Sequence, residues 1–470
     1  MSSLAWHERL SALDATFLYI EDRNAHMHVG GLCIFEGPPP SHAELLQHVE
    51  ARLAAVPRYR QRLAFVPLGQ GRPVWVDDAQ FDLEYHVRRT ALPAPGGETE
   101  LQRLTSRLMS QRLDRDKPLW ELWCVEGLGE GRFALVSKTH HCMIDGISGV
   151  DIATVLLDRT RFAPPQSLPA PWRPRPAPSA RELLRDSVLH QLAHPVEVVR
   201  EALAGGAQAR QQLGEIVLGA LPMLKLARLG RAPVSSLNRQ IGPHRRFETA
   251  RLDLLRVRRV KSALGGTVND VILAVVSGAL RTLLTQRGEQ PSGSLRALVP
   301  VSVRPPDAHH TLGNQVTAVF CPLPIGEADP RRRLALVREA MQDLKSSRQA
   351  VGGLALTQLG DFAPPTLAAQ AARVQALARF FNLVVTNVPG PQDPLYLAGR
   401  QMLACYPAVP LAADQTVCIG LLSYNGAIGI GLLGDADLAR DLPALAAALP
   451  QALAELEALL PGEAQPPPSA

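Results

Sequence analysis

Aromatic residues make up only 5% of this 470-residue chain, and no dense block of lysine or arginine occurs anywhere in it. Without stacking platforms or a phosphate-tracking basic stripe, nucleic acid is a poor fit as a partner. The net charge of +5 comes from scattered arginines and suits an anionic ligand or lipid surface no better than an ordinary solvated exterior. Cysteine is also sparse. Cys33, Cys124, Cys142, Cys321, Cys405 and Cys418 form no CxxC pair and no zinc-ribbon spacing, so reduced, mostly buried thiols are expected. The N-terminus has no basic region followed by an apolar core, and no later stretch free of polar residues is long enough to span a bilayer. The expectation is a cytoplasmic protein, at most resting on a membrane.

Apolar residues account for 46% of the chain and charged residues for 20%, as in soluble globular proteins. A chain this long outgrows a single core, which predicts two core-forming halves. "SHAELLQHVEARLAAV" places Ser41 three residues before Glu44 and then repeats apolar positions at helical spacing, so a capped helix starts there. "GRPVWVDD" and "LWCVEGL" read as strands. From Phe162 to Pro178 proline is too dense for helix or central strand. Beyond it, Leu183, Leu184, Val188, Leu189, Leu192, Val196 and Val199 recur at helical intervals, as helices bridging two domains would. In the second half, "TVNDVILAVVSGALRTLLTQRG" is a buried helix ending at Gly288, and "RALVPVSVR" and "NQVTAVFCPLP" are strands. Asp329-Pro330 opens another helix, and Asn425-Gly426 marks a hairpin. The resulting division is 1–161, a linker with bridging helices over 162–234, a second half over 235–457, and a loose tail over 458–470.

The chemistry concentrates in "SKTHHCMIDGISGVD", residues 137–151. "RFALVSKT" alternates as a strand into His140, and Ser148 three residues before Asp151 resembles a helix start, so the motif occupies a strand-to-helix turn. Neighbouring side chains on a strand point to opposite faces, so His140 and His141 do not share one ion, and no third ligand stands at a zinc spacing. No metal site is therefore expected. One histidine can face a cavity as a base while the other packs backward, with Asp145 fixing the turn and Gly146 supplying its backbone freedom. His141 is read as that base. It lies in parity with Thr139 and Ser137, whereas His140 shares a face with Lys138 and Val136. Covalent catalysis lacks its usual marks, since "GISG" is not GxSxG and Cys142 has no evident thiolate-stabilising arrangement. "GIGLLG" at 429–434 matches GxGxxG but reads as a strand after the hairpin turn, where a dinucleotide site needs a helix.

"HHCMIDG" resembles the HHxxxDG motif of CoA-dependent acyltransferases. The chain as a whole is similar to the bacterial wax ester synthase/diacylglycerol acyltransferases: "LSALDATFLYIEDRNAHMHVGGL", "PLWELWCVEGL", "SSLNRQIGPHRR", "TVNDVIL", "VPVSVRP", "LGNQV" and "NVPGP" follow in the family's order from about residue 10 to about 440. The resemblance implies an α/β (α+β sandwich) fold of two chloramphenicol-acetyltransferase-like halves, with an active-site channel at their interface. It implies His141 as catalytic base and His140, Asp145 and Gly146 as its support. Pro118, Leu119 and Trp120 of the PLW block, Asn269 and Asp270 of the ND block, and Thr386 and Asn387 before "VPGP" become substrate-binding candidates. Thr386 stands where the family's serine is expected, keeping a hydroxyl. The implied reaction moves a long-chain acyl group from acyl-CoA, a co-substrate with no bound cofactor, to diacylglycerol or a long-chain alcohol. Residence on the inner membrane face or lipid inclusions follows from such acceptors, as monomer or homodimer. A condensation-type acyltransferase and a non-catalytic lipid-surface protein of the same fold are the competing readings.

Overall fold

The computed structural model describes residues 7–143, 155–163, 172–190, 230–302, 316–346 and 379–460. Its first strands are β1 (His28–Phe35), β2 (Gln61–Ala64), β3 (Val74–Asp77), β4 (Val87–Ala91), β5 (Trp120–Glu126) and β6 (Phe133–His140). The later ones are β7 (Arg245–Asp253), β8 (Leu295–Ser302), β9 (Val316–Leu323), β10 (Leu383–Pro389), β11 (Tyr396–Leu397), β12 (Arg400–Ala408), β13 (Val417–Tyr424) and β14 (Ala427–Asp435). Two six-stranded mixed sheets result, ordered β11-β12-β1-β6-β5-β4 and β7-β14-β13-β10-β8-β9. The helices of the first half are α1 (Ala12–Ile20), α2 (His42–Leu53), the short α3 (Leu83–His86) and α4 (Glu98–Ser110). Those of the second are α5 (Leu254–Leu264), α6 (Val268–Gln286), α7 (Pro330–Ser346) and α8 (Leu442–Glu457).

Local sequence chemistry accounts for the element ends. Ser41 Oγ accepts the Glu44 N–H at 3.1 Å and starts α2. Asp329 Oδ1 accepts the Arg331 N–H at the head of α7. Asn425 and Gly426 both take positive φ, +44° and +79°, as a two-residue turn between β13 and β14 requires. Thr267 and Asp270 exchange side-chain and backbone bonds of 3.2 and 2.8 Å, a reciprocal capping box for α6. By length and composition α6 is apolar enough to cross a membrane, although Asn269, Asp270 and Arg281 interrupt its apolar run. It is nevertheless the core helix of the second half: Val271, Ile272, Val275, Val276, Leu280 and Leu283 are buried among β8, β13 and α8 residues, each worth about 1.5–3 kcal/mol of transfer free energy.

The two sheets are locked by one crossover. β12 belongs by sequence to the second half, yet it pairs antiparallel with β1, from Gly30 opposite Ala408 to Phe35 opposite Met402. The segment 235–457 is thus not confined to its own sheet. The other edge of β12 directs the Cys405 and Pro407 carbonyls at Gly429 and Gly431 of β14, where an added β-carbon would lie 2.0 and 1.8 Å from those oxygens. The glycines of "GIGLLG" therefore serve close backbone approach, and the motif is the strand it was read to be.

The described part of the linker folds onto the first half. Arg175 pairs with Asp77 at 2.9 Å, Asp186 with Arg9 at 2.8 Å, and Leu183 of a helical stretch over 180–190 packs on Val74 and Val76. The bridging helices expected further along, like the helix start at Ser148, lie outside the described residues.

Candidate active site

β6 carries the histidine pair to the end of the central strands of the first sheet. Its last residue, His140, has a side chain 1% exposed, and the turn His141–Met143 follows at once. The Cys142 N–H donates to His140 Nδ1 at 3.2 Å, which fixes Nε2 as the protonated nitrogen, and Nε2–H donates to Glu21 at 2.9 Å. Both His140 nitrogens are thus committed within the protein. His140 is tied down, on the same strand face as buried Lys138.

Glu21, the C-cap residue of α1, is the hub of this arrangement. Its carboxylate, 2% exposed, bonds Arg115 at 2.6 Å as well as His140, and lies 3.7 Å from Arg112 and 3.8 Å from His28 Nε2. Burial would raise this carboxyl, but His140 and Arg115 outweigh it and hold the group at about 2. Behind it, Lys138 is fully buried, donating to the Leu108 and Gln111 carbonyls at the end of α4 and pairing with Glu121 at 3.2 Å. Sequence reasoning missed Glu21 and Lys138 as parts of the site, although "YIEDRN" and "SKTHH" contain them.

His141 is held differently. Its backbone N–H donates to Met27 O at 2.8 Å, and its ring stacks on Phe17 of α1 with centroids 3.8 Å apart and 20° between planes. The residue is half-buried where His140 is sealed. Nδ1 is closed off from solvent and, among the described residues, has no hydrogen bond of acceptable geometry; an interaction with its own backbone offsets only part of the burial penalty. Desolvation first, and the neighbouring His140 second, push the ring down to about 4. His141 is therefore neutral through the physiological range. Asp145 and Gly146 lie outside the described residues.

The PLW block acts through backbone and packing. Leu119 and Trp120, candidates above for substrate contact, have fully buried side chains and cannot touch a ligand there. The Leu119 carbonyl accepts the His140 N–H at 2.9 Å, and the Pro118 carbonyl accepts the Trp120 N–H at 2.9 Å. The Trp120 indole N–H donates to Tyr59 O at 2.8 Å, and its ring stacks on His86 at 4.7 Å. The block thus seats the end of β6. In the second half, Asp270 Oδ2 is engaged in the α6 cap, while Asn387 Nδ2 donates to Asn269 Oδ1 at 3.3 Å, joining β10 to the first turn of α6. Thr386 stands beside this pair, in register with Gly420. Among the described residues neither asparagine bonds a histidine of the motif, and no cluster of three His, Cys, Asp or Glu could hold a metal ion.

These shifts set the acid limit of the fold. His86 and His141 both sit near 4 against 6.5 when unfolded, so between those values the unfolded chain binds more protons and stability falls as pH falls. Glu21, near 2 against 4.5, adds a further loss below pH 4.5. At about 1.4 kcal/mol per pKa unit, the two histidines cost about 5 kcal/mol on going from pH 7 to about 4.5. Differential scanning fluorimetry is expected to show the thermal midpoint dropping by roughly 5–10 °C over that interval; a flat profile would contradict the burial of these rings.

Comparison with known proteins gives one consistent result. The wax ester synthase/diacylglycerol acyltransferase catalytic domain matches residues 10–272, and the WS/DGAT C-terminal domain matches residues 312–457. A Mycobacterium tuberculosis protein named "Probable diacyglycerol O-acyltransferase tgs1" is 35% identical over 458 residues, covering 96% of each chain. The solved wax ester synthase/diacylglycerol acyltransferase of Marinobacter aquaeolei VT8 superposes with a TM-score of 0.67 at 30% identity, over 96% of this chain and 99% of that one. A starter condensation domain of rhizomide synthetase, solved with C8-CoA, shares the fold at a TM-score of 0.55 and 14% identity, over 96% of each chain.

Proposed function

This chain belongs to the wax ester synthase/diacylglycerol acyltransferase family, and we propose that it transfers long-chain acyl groups from acyl-CoA with His141 as its general base. It is an O-acyltransferase acting on diacylglycerol or a long-chain alcohol. The observation that carries the base assignment is the contrast within the histidine pair: His140 has both nitrogens engaged and is sealed, whereas His141 is neutral, stacked in place and half-buried. With Nδ1 closed off, Nε2 is the nitrogen an acceptor can reach.

The acceptor hydroxyl lies against Nε2 and attacks the thioester carbonyl. Its proton becomes acidic only as the new C–O bond forms, so a base of low pKa takes it during attack rather than before. Collapse of the tetrahedral intermediate breaks the C–S bond, and the CoA thiolate, a leaving group of pKa about 8.5, takes the proton back from His141. Ester and free CoA are released, and the enzyme returns to its starting state. The oxyanion needs a hydrogen-bond donor, and the Asn269–Asn387 pair with Thr386 is the candidate from the second half. A donor of the CoA class is supported by the fold-level neighbour solved with C8-CoA. Water-insoluble acceptors support residence at the cytoplasmic membrane face or on lipid inclusions; exposed Phe65 and Leu68, and Val188 and Leu189 next to the Ser187–Gln70 contact, suit such a surface.

Offering palmitoyl-CoA with hexadecanol and a diacylglycerol together, and resolving products by mass spectrometry, tests the reading. Wax ester, triacylglycerol or both should accumulate with stoichiometric CoA release. CoA release without either ester would mark a thioesterase and end the acyl-transfer assignment.

A further inference from the structure

Cys33 and Cys405 come from β1 and β12, 372 positions apart in sequence, and are direct cross-strand partners in the antiparallel pairing that joins the two halves. Their sulfurs lie 2.7 Å apart. Directly opposed residues in an antiparallel pair have Cα separations of about 4.5 or 5.5 Å, and both values fall inside the window of about 4.4–6.8 Å that a disulfide spans. Among the described residues neither thiol is bonded to His140 or His141. Cys33 is buried, and Cys405 is half-buried and so within reach of a small oxidant.

We propose that Cys33 and Cys405 form a reversible disulfide that staples the crossover strand to the first sheet. With hydrogen peroxide as oxidant, the Cys405 thiolate attacks one peroxide oxygen to give a sulfenic acid and release hydroxide. Cys33 then attacks that sulfur, forming the S–S bond and expelling the second oxygen as water. Two thiols and one peroxide become one disulfide and two waters, and a dithiol reductant reverses the change. Selectivity has a structural basis: Cys124, Cys321 and Cys418 are pushed to about 12 by burial, and Cys142 well above its ordinary range, which keeps them protonated and unreactive. A bond between such distant positions closes a very long loop in the unfolded chain, where chain-entropy stabilisation is greatest.

The test treats the full-length protein with hydrogen peroxide, then blocks free thiols, digests it and maps disulfides by mass spectrometry. The expected result is a linked peptide joining Cys33 to Cys405, lost on dithiothreitol treatment and absent from Cys33→Ser and Cys405→Ser. The thermal midpoint of the wild type should rise by roughly 5 °C on oxidation, with no rise in either variant. Absence of the linked peptide from oxidised wild type would overturn the proposal, as would its presence with no change in midpoint. Because neither readout is enzymatic, failure here is distinct from failure of the acyl-transfer reading.

Discussion

His141→Ala is expected to lower kcat/KM for acyl transfer by about 10²–10⁴-fold, the usual contribution of a positioned general base. The fold should survive, because the His141 backbone bond to Met27 O remains and only a ring stacked on Phe17 is lost. The companion variant separates base from scaffold. His140→Ala removes a ring bonded on both sides and leaves the buried Glu21 carboxylate without its shortest histidine contact, so it should lose stability as well as rate. Rates measured as CoA release, beside thermal midpoints, distinguish the two. If His141→Ala kept activity within a few-fold of wild type, another group would be taking the proton.

The second large effect is expected at Glu21. Glu21→Ala strips the buried partner from His140 and Arg115, and leaving such groups uncompensated costs about 3–5 kcal/mol. The midpoint should fall by roughly 5–10 °C. Activity should fall as well, since the histidine turn packs on α1 and loses its anchor. Glu21→Gln keeps an acceptor for His140 Nε2–H but not the charge that Arg115 meets. Recovery of activity in the glutamine variant without recovery of the midpoint would assign Glu21 to holding His140. If neither variant changed either quantity, the carboxylate hub would have no such role.

How far the sequence foretold this site depends on how local each signal was. The buried helix α6, the Asn425-Gly426 hairpin and the strand into His140 were legible because each is decided by local pattern. Parity along β6 grouped His140 with Lys138 but did not tell the two faces apart, because both are buried. The Ser41–Glu44 capping box was only half right: Ser41 caps α2, while the Glu44 carboxylate turns away to Arg400. Glu21 escaped notice because its partners stand at 28, 112, 115 and 140, and no spacing rule joins them. The seating done by the PLW block was not legible for a related reason, since a motif shows side chains and here the Leu119 carbonyl bonds the end of β6. The insertion of β12 beside β1 was invisible because it pairs positions hundreds of residues apart.

That insertion bears on how substrates enter. A strand hydrogen-bonded into one lobe and wedged against the glycine track of the other acts as a mortise joint, so the lobes cannot hinge open like a clamshell without stripping β12 from its neighbours. A catalytic cycle that needed such opening would have to break the β1–β12 ladder at every turnover.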